Sequence, residues 1–319
     1  GKLPWDAQWK RTEFSPPAAA AVTVVAATAD GGPFTFLGVN LPNAQALREK
    51  YGSKNFVNLS VNDVRDELVQ EATLKEFVPA EHRDEILRRA SYYEYATTGF
   101  HEITGHGSGK VSPELKADPS DLLAPYYSAM EEGRAEMVGD YLLFDPKVLE
   151  IGLLPDAGCV KVYAQYKTVL DFVRLKQVPE GDTAEEDHLR AALIQFGYLK
   201  DRGAITIEQR DGKTFPVVKD PQAWRAAVGE LLAEHQRIKA TGDKAALKKL
   251  VDQYGTRLNT AWRDEVVARV KALGLPRVIA TIPPMLEPVR DEAGRVVDAR
   301  AAQTTDLDAY FEMIARAAP

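Results

Sequence analysis

The sequence has a single cysteine, Cys159, among its 319 residues. No intrachain disulfide can form, and a four-thiolate zinc site or an iron–sulfur cluster is excluded. A lone thiol fits a reducing compartment, so a cytoplasmic location is expected. Long apolar runs are missing too. The longest, Ala18 to Ala29, falls short of the roughly 18 residues that span a bilayer. Its Ala, Val and Thr content reads as strand. No basic stretch leads into an apolar one at the start, so neither a secretory leader nor a membrane partner is expected. The first residue is Gly1 instead of Met, which fits a processed piece. Positive charge is in deficit: 40 Lys and Arg face 47 Asp and Glu, for a net charge of −7 and a pI near 5.4. An acidic surface repels phosphate backbones and argues against nucleic acid as a partner. The same sign attracts cationic ligands, including the free amino end of a peptide.

What is present is ordinary globular material. Hydrophobic residues make up 45% and charged residues 27%, enough to bury a real core. The length predicts about two domains. There is no internal repeat and no low-complexity tract.

Val22 to Ala29 and Phe34 to Val39, split by Gly31-Gly32-Pro33, read as strands of a hairpin. From Val61 to about Arg202 the periodicity is helical. Asn62 or Asp63 caps a helix that runs to Phe77 and stops at Pro79. Glu81 begins a second helical stretch. Ser120 or Asp121 caps a third, reaching Phe144, and Asp156 to Lys176 forms a fourth. Thr183 and Glu186 carry the capping-box spacing for a fifth, ending near Gly203. Ala204 to Glu208 and Thr214 to Val218 flank Asp211-Gly212, a tight hairpin signal. Helices resume from Asp220 to about Ala272. Val278 to Ile282 and Val296-Val297 read as strands, and Asp306 to Ala315 as a closing helix. The fold class is therefore mainly α, with small β segments at both ends. Residues 1–60 form a strand-rich segment, 61–275 a helical domain, and 276–319 strands and a last helix. The two ends are expected to meet in one small sheet.

Five histidines are available to carry chemistry: His82, His101, His106, His188 and His235. Two lie in His101-Glu102-Ile103-Thr104-Gly105-His106. Zinc peptidases commonly space two histidines i, i+4, which puts both rings on one helical face. Here the spacing is i, i+5, a displacement of about 140° on an ideal helix. Both rings reach one ion only if one residue is absorbed locally, as a π-bulge does. The sequence thus predicts a bulge between Glu102 and His106, with Gly105 permitting it. A third ligand is sought in Glu131-Glu132-Gly133-Arg134-Ala135-Glu136. The flanks, Tyr126 to Met130 and Met137 to Leu143, are largely apolar. Acids in a helix that reads as buried need partners, and a dication is a strong one. Glu132 and Glu136 share a face, so one can bind the metal while other acids hold the histidine N–H groups. Glu102 can take a proton from a water activated at an open zinc position and deliver it to a leaving amine. Gly105 to Lys110 is glycine-rich and lets backbone approach a ligand. It is not a phosphate loop, because Thr104 stands where the first glycine belongs.

Paired in this way, H-E-x-x-G-H (His101 to His106) and E-E-x-R-A-E (Glu131 to Glu136) resemble the motifs of the dipeptidyl peptidase III family of zinc exopeptidases. Gly38-Val39-Asn40-Leu41-Pro42-Asn43 is similar to that family's G-x-N-x-P-N strand. Gly107 to Lys110, His188 to Ala191 and the stretch from Gly203 into Ala204 to Ile207 match as well, so most of the chain is covered. The resemblance implies a helical zinc-binding catalytic lobe with one Zn2+ held by His101, His106 and Glu132. It implies Glu102 as general base and acid, and Glu131 and Glu136 as partners of the histidines. His188 would stabilise the oxyanion. Asn40 and Asn43 would hold the peptide's amino-terminal portion, and Arg277 its carboxyl side. The implied activity is release of dipeptides from the amino ends of short peptides. Departures exist. Family members are about twice this long, and an upstream lobe that grips the substrate amine is absent from this sequence. Gly133 stands where some members have Cys.

Blander readings stand beside these. His188, next to Glu185, Glu186 and Asp187, also fits a surface or capping residue. Asn40 and Asn43 fit plain turn residues around Pro42, and Arg277 a surface charge. His82 reads as a first-turn residue, His235 as a member of an amphipathic helix, and Cys159 as core filler. Tyr92, Tyr93 and Tyr95 read mainly as packing. Two rival functions remain open: a zinc aminopeptidase or hydrolase of other specificity, and a binding module in which zinc is only a staple.

Overall fold

The computed structural model describes residues 2–11, 18–22, 37–42, 50–59, 69–276 and 285–302, with scattered positions at 47 and within 306–315. Helices dominate it, as the periodicity predicts. Near the start, β1 (Ala18–Val22), β2 (Gly38–Leu41) and β3 (Lys54–Asn58) form one sheet in the order β1-β3-β2. β3 lies parallel to β1 and antiparallel to β2. The predicted hairpin of Val22 to Ala29 with Phe34 to Val39 falls largely outside the described residues; among those described, β3 lies between β1 and β2. β3 is missing from the sequence reading because Lys54-Asn55-Phe56-Val57-Asn58 lacks apolar alternation. Its buried positions include the amides Asn55 and Asn58. Residues 23–36 lie outside the described residues.

The helical body follows as α1 (Glu71–Phe77), α2 (Ala80–Leu87), α3 (Ala90–Gly99) and a π turn (Phe100–Gly105). Then come α4 (Pro119–Leu123), α5 (Tyr127–Leu142), α6 (Lys147–Glu150), α7 (Gly158–Val173) and α8 (Asp187–Asp201). The expected caps at Asn62 and Asp63 lie outside the described residues. His82 sits in the first turn of α2. The third predicted helix is two. Asp118 caps α4 by accepting from Ser120 N at 2.9 Å, with Pro119 at the first helical position. The chain then breaks at Ala124-Pro125, because the residue before a proline is pushed out of the helical region. The cap of α8 is also displaced from Thr183. Glu186 itself accepts from His188 N and Leu189 N at 3.0 and 2.7 Å, while Thr183 pairs with Arg257 in an isolated bridge.

β4 (Thr206–Arg210) and β5 (Lys213–Val217) form the predicted hairpin. Asp211 and Gly212 both adopt positive φ, 51° and 74°, as a tight primed turn requires. α9 (Pro221–Thr241), capped by Asp220, then α10 (Lys244–Leu250) and α11 (Thr260–Ala272) complete the body. Beyond residues 277–284, which lie outside the described residues along with predicted strand 278–282, β6 (Met285–Arg290) pairs with β7 (Val296–Ala302). Among the described residues the two ends of the chain form separate sheets, not the shared one that the sequence predicts.

At the centre lies α5. It is buried nearly all round, which identifies a helix surrounded by others. Its small residues admit close neighbours: a Cβ at Gly133 would stand 3.2 Å from Ala191 of α8, and one at Gly139 would stand 3.4 Å from Phe100. Beside it, Tyr93, Tyr163 and Tyr166 cluster at 4.9–6.1 Å between ring centroids. The Tyr93 hydroxyl donates to the carbonyl of buried Cys159 at 2.7 Å. This core fixes α5 against the π turn, and that junction is the candidate site.

Candidate metal centre

The π turn resolves the odd spacing of the histidines. His106 N donates to His101 O at 3.0 Å, the i→i−5 bond that accommodates one extra residue and brings both rings to one side. Gly105 serves this turn by its size, since its φ lies outside the left-handed region. A Cβ there would stand 2.8 Å from the Cα, Cβ and O of Ala135. The turn therefore packs directly on the α5 backbone, and glycine is required by contact rather than by freedom. The following glycines face protein as well. Gly109, at φ 85°, lies against the Gln236 side chain.

Three donor atoms converge across the junction. His101 Nε2 and His106 Nε2 are 3.1 Å apart, His101 Nε2 and Glu132 Oε2 3.1 Å, and His106 Nε2 and Glu132 Oε2 3.6 Å. A tetrahedral ion bound at about 2.1 Å spaces its ligand atoms about 3.4 Å apart. The observed triangle brackets that spacing, so these residues fit a divalent metal.

The surroundings set the charge state of each donor. His106 Nδ1 lies 3.2 Å from Glu131 Oε1, so this nitrogen carries the proton and Nε2 keeps its lone pair. Burial keeps the His106 pKa below its ordinary value despite the pull of Glu131. Burial also works to raise the Glu131 carboxyl, but Arg134 and Lys239 outweigh it and hold it well below the usual range. Arg134 forks onto both Glu131 oxygens at 2.8 and 2.7 Å and also donates to Gly105 O at 2.9 Å. Lys239 reaches Glu131 Oε2 from α9 at 2.9 Å. One buried network thus ties the π turn, α5 and α9 together. For His101, burial disfavours the charged ring, but Glu132, Glu136 and Glu102 overcome this and raise its pKa. The Glu132 carboxyl, pushed up by burial, is brought below its usual value by the three imidazoles around it.

Glu102 lies beside the triangle, and burial raises its pKa against the opposing charges of His101 and His188, with the negative charge of Glu132 adding to the rise. Strand β2 holds this residue. Asn40 Nδ2 donates to Glu102 O at 2.8 Å and to Asn55, and the Asn40 side chain is buried between them. The amide nitrogen is thus engaged with the π turn, while Asn40 Oδ1 is buried with no hydrogen-bond partner among the described residues. Asn43 and Arg277 lie outside the described residues. Glu136 meets Lys167 at 3.2 Å, Arg174 at 3.1 Å and His188 Nδ1 at 3.5 Å. Of the three imidazoles it lies nearest His188, and its charge also acts on His101. His188 is raised in pKa by Glu136 above all, and its ring stands 6.4 Å from that of His101.

The sequence reading does not name Arg134, Lys239, Lys167 or Arg174 as functional. A signal for Lys239 exists. It continues the apolar stripe of α9 through Val228, Leu231, Leu232 and His235, where a charge needs a buried partner. Also unnamed as a contact is Gly38, whose absent side chain leaves room for Glu102.

The sequence model of peptidase family M49 matches residues 1–122, which include His101 to His106 but end before α5. Dipeptidyl peptidase 3 of Homo sapiens is 27% identical over 302 residues, covering 80% of this chain and 40% of that protein. The Mus musculus protein of the same name is 26% identical over 299 residues, covering 79% and 39%. That of Dictyostelium discoideum is 28% identical over 323 residues, covering 85% and 44%. The chain therefore spans about two fifths of the length of these relatives. Two solved structures share its fold. Dipeptidyl-peptidase III from Corallococcus sp. strain EGB aligns with a TM-score of 0.69 at 20% identity over 86% of this chain and 48% of its own. DPP III from Caldithrix abyssi aligns with a TM-score of 0.65 at 21% identity over 85% and 49%.

Proposed function

We propose that this chain, a relative of the dipeptidyl peptidase III family over part of that family's length, is the metal-bearing lobe of a zinc peptidase that releases dipeptides from the amino ends of short peptides. The observation that carries this reading is the triangle of His101, His106 and Glu132 donor atoms with Glu102 beside it. His101, His106 and Glu132 would hold one Zn2+. When bound, the metal supplies a Lewis acid that polarises the scissile carbonyl and makes water acidic near neutral pH.

The chain's own groups do the rest. Glu102 accepts the proton of the attacking water on its carboxylate and returns it to the leaving amine nitrogen. Burial moves the Glu102 pKa upward, in the direction that a group exchanging protons near neutrality needs. Glu131 fixes the His106 tautomer, and Arg134 and Lys239 fix Glu131. His188, oriented by Glu136, donates to the developing oxyanion. Asn40 (through its free Oδ1), Asn43 and Arg277 are proposed as peptide contacts. A second lobe, for which the longer relatives have room, would supply the far wall and the grip on the amino end. We place the protein in the cytoplasm, where the lone buried thiol of Cys159 stays reduced. Among the described residues no helix is long and apolar enough to cross a membrane.

The test is Glu102→Gln. The variant should keep zinc, measured by metal analysis. It should lose dipeptide release from a panel of short peptides by about 10²–10⁴-fold. Near-normal hydrolysis would remove Glu102 from the mechanism. Products of single amino acids, read by mass spectrometry, would make the chain an aminopeptidase instead.

A further inference from the structure

We propose that Gly38 is a positioning residue for Glu102: its missing side chain leaves the space that the Glu102 side chain fills. This rests on the reading of Glu102 as the base. A Cβ built at Gly38 would stand 2.6 Å from Glu102 Cγ, 2.6 Å from Oε1 and 2.9 Å from Cδ. Contacts that short do not exist between unbonded atoms, so any other residue at this position displaces the carboxyl. Backbone conformation gives no competing reason for glycine, because the φ of Gly38 is outside the left-handed region. Gly38 and Asn40 lie two apart on β2, paired with Val57 and Asn55 of β3, and so share one face of the strand. From that face Asn40 holds the Glu102 carbonyl, and Gly38 lets the same residue's carboxyl lie against the strand. β2 thereby fixes Glu102 at both its backbone and its side chain.

The nearest atoms that a methyl group at position 38 would meet all belong to one flexible side chain, from its Cγ to its carboxyl, and none to backbone. The fold can accommodate it by swinging Glu102 aside, so the effect concentrates on turnover. A displacement of about 1 Å in a catalytic group lowers the rate by about 100-fold.

The experiment compares Gly38→Ala, Glu102→Ala and the double variant in the full 319-residue chain loaded with zinc. It measures melting temperature, zinc content, and kcat and KM for dipeptide release. Gly38→Ala should keep one zinc, lower kcat by about 100-fold and leave KM within about threefold. It should lower the melting temperature of the wild type but not that of Glu102→Ala, where the space is already vacant. Wild-type kcat in Gly38→Ala overturns the inference, as does loss of its zinc, which would move the effect to the ligands. Equal melting shifts in both backgrounds overturn it too. If Gly38→Ala does not fold, the double variant decides: folding supports the contact with Glu102, and failure to fold assigns the clash elsewhere. Should Glu102→Gln retain hydrolysis, or the wild type show none, the base or peptidase reading fails, while the melting cycle still reports whether Gly38 and Glu102 share this space.

Discussion

Replacing Arg134 with Met tests whether the metal centre stands on its buried ion network. Arg134 is fully buried, and its guanidinium forks onto Glu131 at 2.8 and 2.7 Å and holds Gly105 O at 2.9 Å. Met fills most of the volume but removes the charge and every donor. Glu131 is then left buried with Lys239 as its remaining cation and His106 as its remaining imidazole. Breaking a buried pair by removing one partner costs about 3–5 kcal/mol. Because Lys239 stays, the lower half of that range is expected. At roughly 2 cal/mol/K of unfolding entropy per residue, a loss of about 3–4 kcal/mol in a chain of this length lowers the melting temperature by about 5 °C. The metal should respond separately. Loss of the group that orients a ligand's hydrogen-bond partner weakens binding by about 10–100-fold. Calorimetry of zinc-loaded protein reads the first effect, and competition with a chelator of known affinity reads the second. Arg237→Met is the comparison, because its fork to Glu234 at 2.7 Å is partly exposed. Pairs of that kind contribute about 0–1 kcal/mol. If Arg134→Met melts no lower than Arg237→Met and holds zinc as the wild type does, the network does not support the site.

Two further predictions concern other parts of the same junction. Gly105→Ala should behave unlike Gly38→Ala, because its Cβ meets the backbone of Ala135 at 2.8 Å rather than a movable side chain. Overpacking of about 1–3 kcal/mol and loss of zinc affinity are expected together; an unchanged melting temperature with full zinc content refutes the packing argument. His235 is pushed down to about 4 by burial, against a bond to Leu231 O and beside Arg134. Its folded pKa lies below the unfolded one, so between pH 6.5 and 4 the unfolded chain takes a proton that the fold refuses. Stability is therefore lost as pH falls through that window, by about 3 kcal/mol for this one group. His235→Gln should flatten the acid side of the stability profile in urea melts by that amount. An identical slope in both proteins counts against it.

How much of this was legible in the sequence depended on how local the cause is. The Asp211-Gly212 hairpin was legible because two residues with positive φ determine the turn. The i, i+5 spacing of His101 and His106 pointed to a π turn because the geometry of an ordinary helix forbids their meeting. The break at Pro125 carried a local signal as well, yet apolar periodicity on both sides masked it. β3 gave no such signal. Its Asn55 and Asn58 are buried, and Asn40 and Leu37, which they meet on β2 and just before it, are 15 and 21 residues away. Long-range polar contacts of this kind have no period to read.

The acids of α5 show how tertiary charge pairing settles what spacing leaves open. Glu131, Glu132 and Glu136 are all candidates on the sequence, and a buried helix needs a cation for each. For two of the three acids the fold supplies cations from the chain itself. Glu131 receives Arg134 and Lys239; Glu136 receives Lys167 and Arg174. Among the described residues, Glu132 meets imidazoles and no Lys or Arg. Of the three carboxylates it alone lacks a permanent positive partner, and it alone shares a triangle of ligand-like dimensions with His101 and His106. Electrostatics and geometry therefore select the same residue by separate routes. The basic residues on α5, α7 and α9 and after α7 do more than stabilise: by neutralising the neighbouring acids, they leave Glu132 as the carboxylate for the proposed dication.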